Sequence, residues 1–306
     1  MPSISQIQKD AAVERETWQH PNYKLSDLKL ESSVGSIDGS QIAWLKPLPA
    51  DASGEEILRE LETKGVAHVK GVMPREYVLD MRRKWFEQVA PSGVLKEGTD
   101  PVDGIYCGKE DTTEFLGPEG AAFIKGPREE NAHFMLATEA HSAPWAREFA
   151  ENQYLVNAAK RIHPQWKDPF CMRRQIFRSN LPFAKGTATG VHYDHIFLRG
   201  GPPTFLTAWV PIGDCNPNQG GLMYLEDTLE MAAQGFLSRD AVGYAREVGG
   251  GRRWLIGDYE AGDAVFHHSF MIHASGRNVD PEGRIRLSAD LRFADRAAAY
   301  DRRWDK

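Results

Sequence analysis

The stretch Arg284-Ile285-Arg286-Leu287-Ser288-Ala289-Asp290-Leu291-Arg292-Phe293 alternates polar and apolar residues without a break. Successive side chains of a strand point to opposite faces. Arg284, Arg286, Ser288, Asp290 and Arg292 therefore share one face, and Ile285, Leu287, Ala289, Leu291 and Phe293 the other. Upstream, the segments 171–177, 190–198, 205–211, 221–225 and 263–266 are short, apolar and bounded by turn residues, and they read as further strands. Thr207–Pro211 and Gly220–Leu225 flank Asn216-Pro217-Asn218-Gln219-Gly220, the pattern of a strand, a turn and a returning strand.

Ahead of residue 166 the texture is helical. Ser53-Gly54-Glu55-Glu56 forms a capping box, Ile57, Leu58 and Leu61 make an apolar stripe, and Gly65 is a helix stop. Residues 66–72 read as a strand. After Pro74, Tyr77, Val78, Met81, Trp85 and Val89 recur at helical spacing. Residues 91–141, rich in Gly, Pro and acids, are expected to form long loops of the kind that serve as lids. One helix is expected over 144–161.

Helices followed by many short strands with Gly/Pro turns predict a mainly β protein with flanking helices, built on a jelly-roll or double-stranded β-helix core. Residues 1–45 are polar and read as an N-terminal extension packing on that core. Residues 46–306 read as one domain, with a helical and lid part over 46–165 and the β-helix over 166–306.

The chain has 306 residues and 41% hydrophobic content, enough for one large domain with a substantial core. A formal charge of −6 gives no electrostatic basis for nucleic acid or an anionic membrane as partner. The three cysteines, Cys107, Cys171 and Cys215, are far apart, with no CxxC pair. That usage suits a reducing compartment. With no N-terminal apolar segment and no run long enough to span a bilayer, a cytoplasmic protein is expected. A small molecule is the expected partner, and nothing in the sequence marks an oligomeric state.

The chemistry starts from Gly190-Val191-His192-Tyr193-Asp194-His195 and Phe270-Met271-Ile272-His273-Ala274-Ser275. On a strand, His192 and Asp194 point to one side and Tyr193 to the other. A third ligand, His273, comes from another strand, and the stretch between Asp194 and His273 is long enough for several strands to intervene. Two imidazoles and one carboxylate are the facial triad of non-haem Fe(II), which leaves the opposite face open. An arginine on the strand after His273 is placed to clamp a carboxylate through its planar fork. Trp209 is a candidate pocket wall. His195 points away from Asp194 and reads as structural. His267 and His268 are near enough to face the pocket but carry no assigned role. Tyr106 and His133, in the lid region, are weaker candidates for substrate contact.

With these residues in place, the chain resembles the phytanoyl-CoA dioxygenase family of Fe(II)/2-oxoglutarate-dependent oxygenases. The likeness runs from Gln175 to Phe293, with a looser match over 65–89. It rests on the His192/Asp194 pair, the Trp209 segment, Gly220-Gly221, Gly262-Asp263, and His273 with its Ser, Asn and Arg followers. It implies that His192, Asp194 and His273 bind iron, and that 2-oxoglutarate and O2 are cosubstrates. Arg286 or Arg284 would hold the distal carboxylate of 2-oxoglutarate, with Gln175, Trp209 and Ser288 around it. The spacing usual in the family points to Arg284, whereas aligning the Arg-Leu-Ser strand points to Arg286; the strand context favours Arg286. Asp194 favours hydroxylation, because halogenating relatives carry a small residue there. Two rival readings are a zinc hydrolase using the His192–His195 cluster, whose usual first His falls on Gly190, and a non-catalytic β-helix binding domain.

Overall fold

The computed structural model describes residues 17–32, 35–184, 186–229 and 252–305; residues 1–16 of the expected extension lie outside the described residues. In chain order come strands β1 (Leu30–Ser32), β2 (Gly35–Ile37) and β3 (Ile42–Trp44), helix α1 (Gly54–Thr63), β4 (Val66–Val69) and α2 (Arg75–Val89). Short 3-10 turns lead to α3 (Ala132–Ser142), α4 (Pro144–Ala150) and α5 (Gln153–Ile162). The remaining strands are β5 (Pro169–Cys171), β6 (Ile176–Asn180), β7 (Leu206–Pro211), β8 (Leu222–Leu225), β9 (Trp254–Ile256), β10 (Ala264–His268), β11 (His273–Ser275) and β12 (Arg286–Asp295).

The helices begin and end where their caps dictate. Ser53 accepts from the Glu56 N–H while the Glu56 carboxylate takes the Ser53 N–H, closing the capping box of α1. Gly65, at φ +83°, ends that helix in the left-handed conformation. The helix expected over 144–161 is two helices, because the Asn152 side chain caps a new start by accepting from the Leu155 N–H. The loop expected up to residue 141 contains α3, begun by Asn131, whose side chain accepts from the Phe134 N–H.

Two sheets face each other. The larger runs β4-β10-β7-β12-β5, with β6 also paired to β12; the smaller runs β11-β8-β9-β3. This is the double-stranded β-helix. Two of its strands, β3 and β4, come from ahead of residue 166. The larger sheet turns Ala208, Val210, Leu287, Ala289, Leu291 and Phe293 outward into a core shared with Trp85, Phe149 and Leu155 of the helices. Its inner face brings Val66, Trp209 and Val265 against Ala43, Tyr224 and Leu255 of the smaller sheet. The outer face of the smaller sheet is covered by residues ahead of it in the chain: Leu28, Leu30 and Ile37 pack with Trp44, Met223 and Trp254. Apolar burial at roughly 25 cal/mol per Å² is the main force holding these layers together.

The alternating strand that decided the fold reading is β12. It is buried on both faces, so its polar residues do not look onto solvent: Arg286, Ser288, Asp290 and Arg292 are each at most 5% exposed and face the barrel interior. Asp263 ties β4 to β10. Its carboxylate takes Lys70 Nζ and the Gly71 N–H and lies 2.9 Å from His68 Nε2. Among the described residues no helix is long and apolar enough to cross a membrane.

Candidate active site

The strand expected over 190–198 is not formed. His192 makes a single antiparallel bridge to His273, and Asp194–Ile196 is a 3-10 turn, with the Phe197 N–H bonded to the Asp194 carbonyl at 3.0 Å. Asp194 therefore reaches His192 by a turn, not by strand parity. Tyr193, between them, is buried in the cluster beyond the smaller sheet.

His192, Asp194 and His273 converge, with one ligand atom from each lying within 4.8 Å of the others. His192 Nε2 is 3.8 Å and His273 Nε2 3.9 Å from Asp194 Oδ1. Each histidine turns Nδ1 to a backbone carbonyl, His192 to Gly190 at 2.7 Å and His273 to Met271 at 2.8 Å. Donating Nδ1–H there leaves Nε2 with its lone pair toward the common point, the orientation a metal requires. Burial pulls both imidazoles below their usual range, strongly so for His273, which favours the neutral ligating form.

Asp194 is completely buried. Its Oδ2 accepts from Thr207 Oγ1 at 2.7 Å, and the Arg292 guanidinium reaches both oxygens at 3.1–3.3 Å. Burial alone raises a carboxyl; the Arg292 charge and the neighbouring His267 and His273 overcome it and hold Asp194 well below its ordinary value. His267 is the nearest further imidazole, with Nε2 3.5 Å from Asp194 Oδ2 and its ring 4.6 Å from that of His273.

Further along the same inner face, Arg286 donates to Ser288 Oγ at 2.7 Å and to the Gly220 carbonyl at 3.1 Å. Gly220 must be glycine: its φ is +71°, and a Cβ would stand 2.4 Å from the Gly276 carbonyl oxygen. Arg286 Nε, Trp209 Nε1 and the Tyr224 hydroxyl are buried with no partner among the described residues. Three orphaned hydrogen-bond donors on the inner faces of β12, β7 and β8 fit an anionic, oxygen-rich guest. Burial raises the Tyr224 phenol well above its usual value, so it stays a donor. Arg178 enters from β6 with Nε 3.0 Å from Asp290 Oδ2, opposite Ser288 in register.

The other residues singled out in the sequence lie elsewhere. Arg284 precedes β12 and pairs with Asp280 at 2.9 Å and Glu282 at 2.9 Å, lining a separate cleft of about 430 Å³ with Arg75, Arg82 and Asp214. Gln175 donates to the His141 carbonyl of α3 at 3.3 Å, beside Phe177, whose ring packs on His141 on the helix side of the sheet. His195 packs its ring on Phe270. Tyr106 donates to the Lys109 carbonyl, and His133 sits against Ser92, both away from the triad. Arg292, Thr207 and Tyr224 were not singled out in the sequence. The parity of β12 placed Arg292 on the correct face, but nothing local announced its partner.

The family model for phytanoyl-CoA dioxygenase (PhyH) matches residues 61–285. No curated protein matches the chain by sequence. Among solved structures, the non-heme alpha ketoglutarate dependent carbocyclase SnoK from nogalamycin biosynthesis is 19% identical, with a TM-score of 0.53 over 83% of this chain and 88% of that one. The epimerase SnoN, in complex with Fe3+, alpha ketoglutarate and nogalamycin RO, is 16% identical, with a TM-score of 0.52 over 81% and 85%. AviO1 from Streptomyces viridochromogenes Tue57 is 17% identical, with a TM-score of 0.51 over 80% and 96%. At these identities the likeness establishes the fold, the double-stranded β-helix seen here. Matched over most of its length by the family model, the chain belongs to the phytanoyl-CoA dioxygenase family, oxidoreductases that use Fe(II), 2-oxoglutarate and O2.

Proposed function

We propose that the chain hydroxylates an unactivated C–H bond of a small metabolite or biosynthetic intermediate, converting 2-oxoglutarate to succinate and CO2. The observation that carries this reading is the convergence of an intact carboxylate, Asp194, with His192 and His273. With Asp194 occupying the third ligand position, no place is left for a halide beside the cosubstrate, which favours hydroxylation over halogenation. Fe(II) held there supplies the Lewis acid and redox centre that couples O2 to the oxidation of both organic substrates.

The chain's own residues do the positioning. His192, Asp194 and His273 would hold the metal. Arg286 supplies the cation for the distal carboxylate of 2-oxoglutarate, its fork aimed by Ser288 and the Gly220 carbonyl. Trp209 Nε1 and the Tyr224 hydroxyl are donors available to the bound acid. Phe197, 54% exposed with its ring 5.6 Å from that of His192, offers an exposed apolar surface beside the triad against which a substrate carbon would pack.

SnoK is described as a carbocyclase and SnoN as an epimerase, so the fold supports more than one outcome of C–H oxidation. The test is a substrate panel with the Fe(II)-reconstituted enzyme, reading stimulated succinate release and product mass. Hydroxylation adds one oxygen atom, ring closure removes two hydrogens, and epimerisation leaves the mass unchanged. Stimulated turnover with no oxygen gained overturns hydroxylation but not the oxygenase class.

A further inference from the structure

We infer that Arg292 and Thr207 form a carboxylate clamp that makes Asp194 a one-oxygen ligand, and that the clamp is an anion site in its own right, filled in the native chain by Asp194; the inference rests on the metal site proposed above. The division of labour between the two carboxylate oxygens carries it. Oδ2 is taken by Thr207 Oγ1 at 2.7 Å and by Arg292 Nη2 and Nε at 3.2 and 3.3 Å. Oδ1, touched by Arg292 Nη2 at 3.1 Å, is the atom both ligand histidines face. A carboxylate held in this way is not free to rotate, so it would offer a metal one oxygen and leave the second engaged by the clamp.

The clamp is rigid for reasons outside the site. Arg292 and Thr207 are cross-strand partners in β12 and β7, so sheet register fixes their separation. The far side of the guanidinium is held by Nη1 donating to the Asp290 carbonyl at 3.1 Å, and the Trp304 ring covers it at 5.3 Å. Arg292 is 3% exposed, and Asp194 is its only carboxylate partner among the described residues. A buried cation, a hydroxyl donor and a space shaped by one carboxylate remain if that carboxylate is removed. Small carboxylates such as formate match that shape and charge. Arg292 is thus a positioning residue, acting on the metal through Asp194.

The test uses Co(II) titrated into chelator-treated full-length protein, read by visible absorption, which reports both affinity and ligand geometry. Wild type is expected to bind. Arg292→Met is expected to weaken Co(II) roughly 10–100-fold and alter the spectrum, as loss of outer partners does at other metal sites. Thr207→Val is expected to weaken it less, and Arg292→Lys to recover part of the loss. In Asp194→Gly, sodium formate is expected to restore Co(II) binding; in Asp194→Gly/Arg292→Met, a variant without the buried unpaired charge, it is not. The clamp is overturned if wild type binds while Arg292→Met and Thr207→Val keep its affinity and spectrum, or if formate acts equally with and without Arg292. Failure of wild type itself to bind Co(II) overturns the metal site, and the clamp with it.

Discussion

His192 and His273 are direct backbone partners: the His192 N–H donates to the His273 carbonyl at 3.0 Å, and the His273 N–H to the His192 carbonyl at 2.8 Å. Two residues far apart in the chain are thus set side by side by main-chain bonds, and their rings stand 4.2 Å apart as a consequence. The ligand spacing therefore does not depend on the imidazoles themselves. His192→Ala is expected to change the unfolding free energy of the metal-free protein by about 1 kcal/mol or less. Its loss of metal affinity should exceed the roughly 10–100-fold typical of outer partners. Urea denaturation and a chelator competition read the two quantities separately.

Arg286 and Arg284 are expected to separate in function although they share a strand face in the sequence. Arg286→Gln removes a buried charge-assisted contact of about 1.5–3 kcal/mol, raising the 2-oxoglutarate concentration needed for half-maximal turnover roughly 10- to 150-fold. Arg284→Gln, which breaks only the Asp280 and Glu282 pairs, is expected to leave that concentration unchanged within about threefold. Succinate formed at graded 2-oxoglutarate concentrations measures both. An Arg284 effect as large as that of Arg286 would move the 2-oxoglutarate carboxylate site to the separate cleft that Arg284 lines.

Arg82 of α2 is a structural clasp. Its buried guanidinium donates to the carbonyls of Val102, Ile212, Asp103 and Ile285 at 2.6–3.2 Å, joining the helix, the loop after β7 and the start of β12. Burial lowers its pKa to about 10, which still leaves it charged at neutral pH. Arg82→Met strands several buried carbonyls and is expected to destabilise by about 3 kcal/mol or more. A lower denaturation midpoint at unchanged m-value is the expected signature.

Most of the fold was legible because periodicity reports burial. The capping box at Ser53 and the stop at Gly65 appear in the structure at the expected residues, and the alternating strand, expected from Arg284 to Phe293, runs from Arg286 to Asp295. Alternation could not say which face of β12 was wet, because the partner sheet that buries its polar side lies elsewhere in the chain. Residue type and spacing name the ligand trio but not its geometry: the 3-10 turn at Asp194 depends on tertiary contacts that a local pattern does not record. Gln175 was placed by family likeness, and the structure sets it against α3. Arg292 and Thr207 were hidden for a related reason. Their role exists only through a register that joins β7, β12 and the Asp194 turn.

Acid should loosen the helical layer through His133. Burial lowers its pKa to about 4, while the unfolded chain titrates near 6.5. Between those values the unfolded state binds the extra proton. The stability that the neutral imidazole contributes above pH 6.5 is therefore lost as pH falls toward 4, at up to about 1.4 kcal/mol per pH unit. His133→Phe does not titrate. Moving from pH 7 to pH 5 should cost this variant about 2 kcal/mol less than it costs wild type. Urea denaturation at the two pH values checks this, and an equal cost in both proteins would contradict it.

The central claim is that His192, Asp194 and His273 hold an iron that chelates 2-oxoglutarate. Its most direct test is visible absorption on anaerobic addition of Fe(II) and then 2-oxoglutarate to the metal-free protein. Wild type is expected to develop a charge-transfer band that His192→Ala abolishes. No band in wild type, an undiminished band in His192→Ala, or full activity with zinc in place of iron would contradict the account.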